Sequence, residues 1–183
     1  MTGDRLQSAL RLIHAGQLPQ ADALCREVLV SEPKNFNALQ LLGHVALQRA
    51  DYPAAVQWLC AARTVNAANA SLYSNLAVAL LALRRPDEAL AQCDTALALN
   101  PRLPEALCNR GHALTALKRT EEGLRCYEQC LEVAAGFHDA LEGRTQALMH
   151  LNRLDEAMTS ADRALAVAPS PQAWNRRGAV LLK

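Results

Sequence analysis

Two asparagines and two histidines recur at matched places and are the first candidates for chemistry. Asn75 and Asn109 lie 34 residues apart, and His44 and His112 lie twice as far apart. A primary amide carries both a donor and an acceptor, so two amides in register can each pair with the backbone of an extended peptide. The same residues also read as a solvated polar face, and the sequence leaves both readings open. A metal ion needs its imidazole ligands at about 2 Å. The separation of His44 and His112 points instead to polar residues lining a surface. His14 and His150 match in the same way and lie further apart still.

Cys25, Cys60, Cys93, Cys108, Cys126 and Cys130 form no Cys-x-x-Cys pair. They read as reduced, buried thiols, because a free cysteine packs like a small hydrophobe. Cys126 and Cys130, four apart, share a helix face, which leaves a redox or metal role open. The sequence provides no nucleophile with its base, no phosphate-cradling glycine loop and no metal set. The chain itself is therefore expected not to be an enzyme and to hold no cofactor.

The elements that position these residues follow from a period. Ala21, Ala55, Ala89, Gly123 and Ala157 step by 34. So do Pro33, Ala67, Pro101, Ala135 and Pro169, and so do Ala9, Gly43, Ala77, Gly111 and Thr145. Three independent columns keep one period, the signature of a repeat architecture. Each repeat reads as two amphipathic helices, A and B. Tyr73, Leu76, Ala77 and Leu80 share one face of helix A, as do Leu107, Arg110, Gly111 and Leu114. Small residues at the Ala77 and Ala89 columns let two antiparallel helices approach closely. Pro101 and Pro169 lack an N–H donor and end the helix before them.

The expected repeats are residues 2–35, 36–69, 70–103, 104–137 and 138–170, with a partial repeat at 171–183, in one array over 1–183. In the first two, the helices are expected at Asp4–Ala15, Gln20–Val30, Ala38–Arg49 and Pro53–Val65, with Gly16 breaking the first. Thr120 is expected to cap helix B of repeat four, and Gly123 to weaken it. Arg144 and Thr145 are expected to make helix A of repeat five pack poorly. Trp58, one place before the core column of Leu59, is expected to be a partly exposed packing residue. Trp174, Leu181 and Leu182 lie on a helix A with no helix B after it, so the sequence is expected to be part of a longer protein or to pair with a second copy through that helix.

The pattern resembles the tetratricopeptide repeat. Its third copy reads Tyr73, Leu76, Ala77, Leu80, Ala89, Cys93, Ala96 and Pro101, and its second reads Leu39, Leu42, Gly43, Ala46, Ala55, Leu59 and Ala62. The resemblance implies an all-α fold, a right-handed superhelical solenoid of antiparallel helix pairs, about five and a half repeats long. It also implies a concave groove lined by helix A. Spacing then nominates Gln40, His44, Ser71, Asn75, Glu105, Asn109, His112, Gln146 and Arg176 for a peptide-binding groove, with Asp139 and Asn175 beside them. Asn75 and Asn109 resemble two rungs of the asparagine ladder of O-GlcNAc transferases. Gln7, Leu41 and Gly143 fill the other places in that column.

The implied function is a scaffold that binds a peptide or a partner protein. Ala106–Leu114 resembles the N-terminal arrays of bacterial SPINDLY-type glycosyltransferases, which implies a second role, substrate recognition within a larger enzyme. Some members of the family hold acidic chaperone tails with a basic clamp. Leu6, Gln40, Ser74, Cys108 and Glu142 fill those places here, so that ligand is not expected.

Composition narrows the partners. With 19 basic and 18 acidic residues, net charge +1, the chain lacks the basic excess that drives phosphate binding, so nucleic acid is not an expected partner. Aromatics are only 4% and β-branched residues are sparse, which disfavours a sheet protein. No apolar run approaches the ~20 residues of a membrane-spanning helix. The N-terminus has no charged segment followed by an apolar core, so a cytoplasmic protein without a signal peptide is expected.

Overall fold

The computed structural model describes residues 2–182. Met1 and Lys183, the limits of the expected array, lie outside them. Every regular element among the described residues is an α-helix. The chain divides into two compact units, Met1–Arg85 and Pro86–Lys183. The N-terminal unit holds α1 (Thr2–His14), α2 (Leu18–Ser31), α3 (Phe36–Gln48), α4 (Tyr52–Val65) and α5 (Ala70–Ala82). The C-terminal unit holds α6 (Pro86–Leu99), α7 (Pro104–Ala116), α8 (Thr120–Val133), α9 (His138–His150), α10 (Leu154–Val167) and α11 (Pro171–Leu181). The helix limits expected in the first two repeats agree with α1–α4 to within two residues.

Consecutive helices pack on each other within each unit. The odd-numbered helices also touch: α1 meets α3, α3 meets α5, α7 meets α9 and α9 meets α11. Among the described residues, the even-numbered helices of a unit make no such approach to one another. Helices that lie closer on one side than on the other curve the stack, so the odd-numbered helices, the A helices of the repeats, form the inner layer of each unit.

The core is built from the columns found in the sequence. In α5, Leu72, Tyr73, Leu76, Ala77 and Leu80 are buried, and in α4 so are Ala55, Leu59 and Ala62. Glycines mark where the helices of a pair come closest. A Cβ built on Gly43 would lie 2.6 Å from the Leu59 side chain. One on Gly111 would lie 2.5 Å from the Tyr127 ring, and one on Gly143 would lie 2.6 Å from the same ring. Tyr127, on α8, thus fills a slot that two absent side chains open, one on α7 and one on α9.

Gly123 is not merely the weak point expected from helix propensity. A Cβ there would meet Thr115 Oγ1 at 2.6 Å and the Gly111 carbonyl oxygen at 2.9 Å. The missing side chain lets α8 sit against α7. Thr145 also departs from expectation. It is fully buried, and its hydroxyl donates to the Leu141 carbonyl at 2.8 Å, so the polar atom is satisfied inside the core. Its neighbour Arg144 stays half-buried, with its guanidinium 3.5 Å from Glu128 and 3.7 Å from Glu156.

Capping is uneven. Asn35, Asp51, Asn69 and Ser170 accept from the backbone N–H three residues on, satisfying one of the orphan donors at a helix start. Thr120 does not cap α8 as expected: it is the first helical residue, and the cap position is Arg119, which makes no side-chain cap bond. Arg119 instead grips the Glu122 carboxylate through Nε and Nη2, both at 2.7 Å.

The turn from helix A to helix B contains a column that residue types hide. Gly16, Ala50, Arg84, Lys118 and Asn152, each 34 apart, all have positive φ, between 56° and 72°. Each turn closes with paired backbone bonds. In repeat two, Ala50 N–H donates to Leu47 and Asp51 N–H to Ala46, and the other turns repeat the pattern. This is the Schellman arrangement, which needs a left-handed residue just past the helix end. Glycine adopts that conformation freely, whereas an L side chain costs about 1–2 kcal/mol there. Ala50→Gly is therefore expected to stabilise the chain by about 0.5–1 kcal/mol, after the added chain entropy of glycine when unfolded. A urea-unfolding midpoint above that of the wild type checks this.

Candidate functional site

The core columns consume one face of each odd-numbered helix, and the opposite face carries the residues nominated for binding. In the N-terminal unit, Gln40 and His44 lie on α3 and Ser71 and Asn75 on α5. Ser71 is exposed and the other three are half-buried. His44 Nε2 is 3.0 Å from the Gln48 amide nitrogen. Burial, aided by His14, lowers the His44 pKa, so the ring stays neutral and accepts the amide N–H.

A cleft of about 250 Å³ opens between α1 and α3, lined by Leu6, Gln7, Leu10, Asn37, Gln40 and Leu41. Of these only Gln40 was nominated from sequence. Gln7 belongs to the column of Asn75, and that spacing is the signal that finds it. Trp58 is half-buried as expected, and the Arg26 guanidinium stacks 5.2 Å from its ring centre.

In the C-terminal unit, Glu105, Asn109 and His112 lie on α7, Gln146 on α9 and Arg176 on α11. Arg176 and Gln146 are brought together: Arg176 Nη1 donates to Gln146 Oε1 at 3.3 Å. Arg176 Nη2 also lies 3.5 Å from Glu142, which is 3.5 Å from His138 Nε2. A cleft of about 520 Å³ between α9 and α11 is lined by Gln146, Met149, His150, Gln172, Asn175, Arg176 and Ala179. Glu105 stands exposed on α7 and lines neither cleft.

His112 is less a free surface group than its spacing suggests. Its Nδ1 is 2.9 Å from the Tyr127 hydroxyl, its Nε2 is 3.4 Å from Cys108 Sγ, and its ring meets the Tyr127 ring edge-on at 5.2 Å. Sequence reasoning missed this because Tyr127 belongs to a different helix, 15 residues further along the chain.

Among the described residues, no group of three His, Cys, Asp or Glu is placed to hold a metal ion. No helix among them is long and apolar enough to cross a membrane. The tetratricopeptide repeat family matches residues 70–103 and, separately, residues 104–137. Residues 70–137 carry tetratricopeptide repeats.

Solved structures place the rest of the chain in the same fold. A thermophilic tetratricopeptide protein of Thermus thermophilus, TTC0263, is 21% identical over 100% of both chains, with a TM-score of 0.84. PilW, a type IV pilus biogenesis factor, is 19% identical over 99% of this chain and 89% of its own, with a TM-score of 0.84. YrrB, described as having an unusual peptide-binding site, is 22% identical over 92% of this chain and 87% of its own, with a TM-score of 0.69. No curated protein sequence matches this chain.

Within the C-terminal repeats the thiols are unreactive by environment. Burial raises Cys93 to about 12 and Cys130 to about 11, and also raises Cys108. Cys126 is raised by burial in spite of the Arg110 guanidinium 3.1 Å from its sulfur. In the N-terminal repeats, burial raises Cys25 to about 11. Thiols held protonated are poor nucleophiles and poor metal ligands.

Burial lowers the pKa of His112, with Arg176 adding to the effect and Asp139 and Glu142 opposing it. The neutral ring pairs with the Tyr127 hydroxyl at Nδ1 and with the Cys108 thiol at Nε2, one nitrogen donating and the other accepting. A histidine whose folded pKa is depressed favours folding fully above its unfolded pKa of about 6.5, and loses that contribution as pH falls. His44 acts in the same sense. The urea midpoint is therefore expected to fall between pH 7.5 and 5.5, and His112→Gln is expected to reduce that fall; an equal fall in wild type and variant would contradict the assignment.

Proposed function

We propose that this chain is a protein-interaction module that holds a peptide or a partner's segment against its odd-numbered helices. The observation that carries the reading is the division of labour between helix faces. The columns facing the even-numbered helices are filled by packing. The inner face of each unit keeps polar side chains partly open: Gln40, His44, Ser71 and Asn75 in one unit, and Glu105, Asn109, Gln146 and Arg176 in the other. Asn75 and Asn109 act as readers of a ligand backbone, since each amide offers a donor and an acceptor. A peptide-binding site described for a fold neighbour supports the same reading.

The glycosyltransferase-linked reading rests on residues 106–114, and the packing accounts for much of that stretch without it. Leu107, Cys108, Gly111 and Leu114 are buried, Arg110 pairs with Asp94 at 2.8 Å, and His112 is engaged by Tyr127. These residues fit α7 to α6 and α8, a role any such repeat requires.

The test is a peptide selection on the full chain, followed by affinities for variants on both faces. Asn75→Ala and Asn109→Ala are each expected to weaken the selected peptides about 5–10-fold, the worth of one or two net hydrogen bonds. Glu27→Ala and Gln129→Ala, exposed on α2 and α8, are expected to leave binding unchanged. Loss of binding in the second pair and not the first would contradict the proposal.

A further inference from the structure

We infer that the cleft between α1 and α3 is a specificity pocket for one large, uncharged apolar side chain of an extended peptide. This rests on the interaction-module reading above and names the residue type that it would select.

Three observations converge on the cleft. Its apolar part is Leu6, Leu10 and Leu41, with Leu10 44% exposed. Leu41 packs from beneath against the buried clusters around Ala9, Cys25 and Leu42 and around Ile13, Ala21 and Val45, so the floor is held by the core. Its polar part is three amides, Gln7, Asn37 and Gln40, and none of them is hydrogen-bonded to another described residue. Among the described residues, no ionisable side chain lines it. This sets it apart from the cleft between α9 and α11, which contains Arg176 and His150.

Chemistry selects the occupant. A charged group would enter a cleft that offers no counter-charge, at a large desolvation cost. A docked helix would bring an apolar face, but its backbone groups are already paired within the helix, and the three amides would lose water without replacement. An extended segment satisfies both parts. Its side chains alternate, so one enters between the leucines while the adjoining N–H and C=O groups meet the amides. A volume of about 250 Å³ suits one side chain with its flanking backbone and lies below the ~300–1,000 Å³ of pockets for drug-sized ligands.

The cleft also adjoins a second concavity. Asn37 lines both it and a cavity of about 710 Å³ formed by Glu32, Pro33, Lys34, Asn35, Phe36 and Val65. A strand leaving the apolar cleft past Asn37 would run on into that cavity.

The experiment is an NMR titration of the isotope-labelled full chain, read at the side-chain amides of Gln7, Asn37 and Gln40 and the methyls of Leu6, Leu10 and Leu41. The probes are acetyl-Gly-Gly-Leu-Gly-Gly-amide and its analogues with Ala, Asp or Lys at the centre. The leucine peptide is expected to give saturable shifts at these groups. The alanine analogue should bind about tenfold more weakly, and the aspartate and lysine analogues more weakly still. Leu10→Glu and Gln40→Ala, both on partly open positions, should each weaken the leucine peptide.

Equal binding of all four probes at the cleft would overturn the specificity and leave the interaction reading standing. Shifts confined to other helices would overturn the pocket. Shifts of the same groups that depend on protein concentration without peptide would assign the cleft to a second copy. Saturable shifts nowhere on the chain with any probe would overturn the pocket, and the fate of the broader reading would then rest on the independent peptide selection.

Discussion

The structure depends on how closely helix A and helix B of a pair can approach, and that distance is set by a sum of two side-chain volumes. Where helix B brings a large residue, helix A answers with none: Leu59 faces Gly43, and Tyr127 faces Gly111. Where helix B brings a smaller residue, helix A fills the difference, as with Cys25 and Ala9 in one buried cluster. Close-packed interiors leave little room to absorb a mismatch. Tyr127 extends the constraint beyond its own pair. Its ring reaches Gly143 on the next A helix, and its hydroxyl reaches His112 on the one before. One side chain thereby fixes the spacing of α7, α8 and α9.

This constraint also determines which surface is available. Within each unit the odd-numbered helices approach one another while, among the described residues, the even-numbered ones do not, so each unit has an inner face. The residues that hold the pairs together cannot face a ligand. Polar side chains on the inner face of each unit meet no such packing demand. The clefts of the two units differ in charge, with leucines and amides between α1 and α3 and a guanidinium between α9 and α11.

Much of the architecture was legible in the sequence because it is periodic. The 34-residue step, the small-residue columns and the helix pairs are visible as residue types, and the helices lie where the step puts them. Other features were not visible, for physical reasons. The left-handed turn column contains Ala50, Arg84 and Lys118, which do not advertise positive φ; the turn imposes it. Gly143 reads as a gap in an asparagine column, and only the Tyr127 ring beside it explains the gap. Thr120 has the residue type of a cap but sits one place too late. The clefts were the least legible, because a cavity depends on two helices that are distant in sequence. Of the six residues lining the α1–α3 cleft, spacing nominated only Gln40.

The most direct test of the volume constraint is a double-mutant cycle between Gly111→Ala and Tyr127→Cys, followed by urea unfolding. Together the two changes reproduce the pairing of Ala9 with Cys25. Alone, Gly111→Ala places a methyl 2.5 Å from the ring and is predicted to cost about 1–3 kcal/mol. In the Tyr127→Cys background that cost should nearly vanish, giving a coupling energy of at least about 1 kcal/mol. Additive losses, with Gly111→Ala equally costly in both backgrounds, would contradict the account.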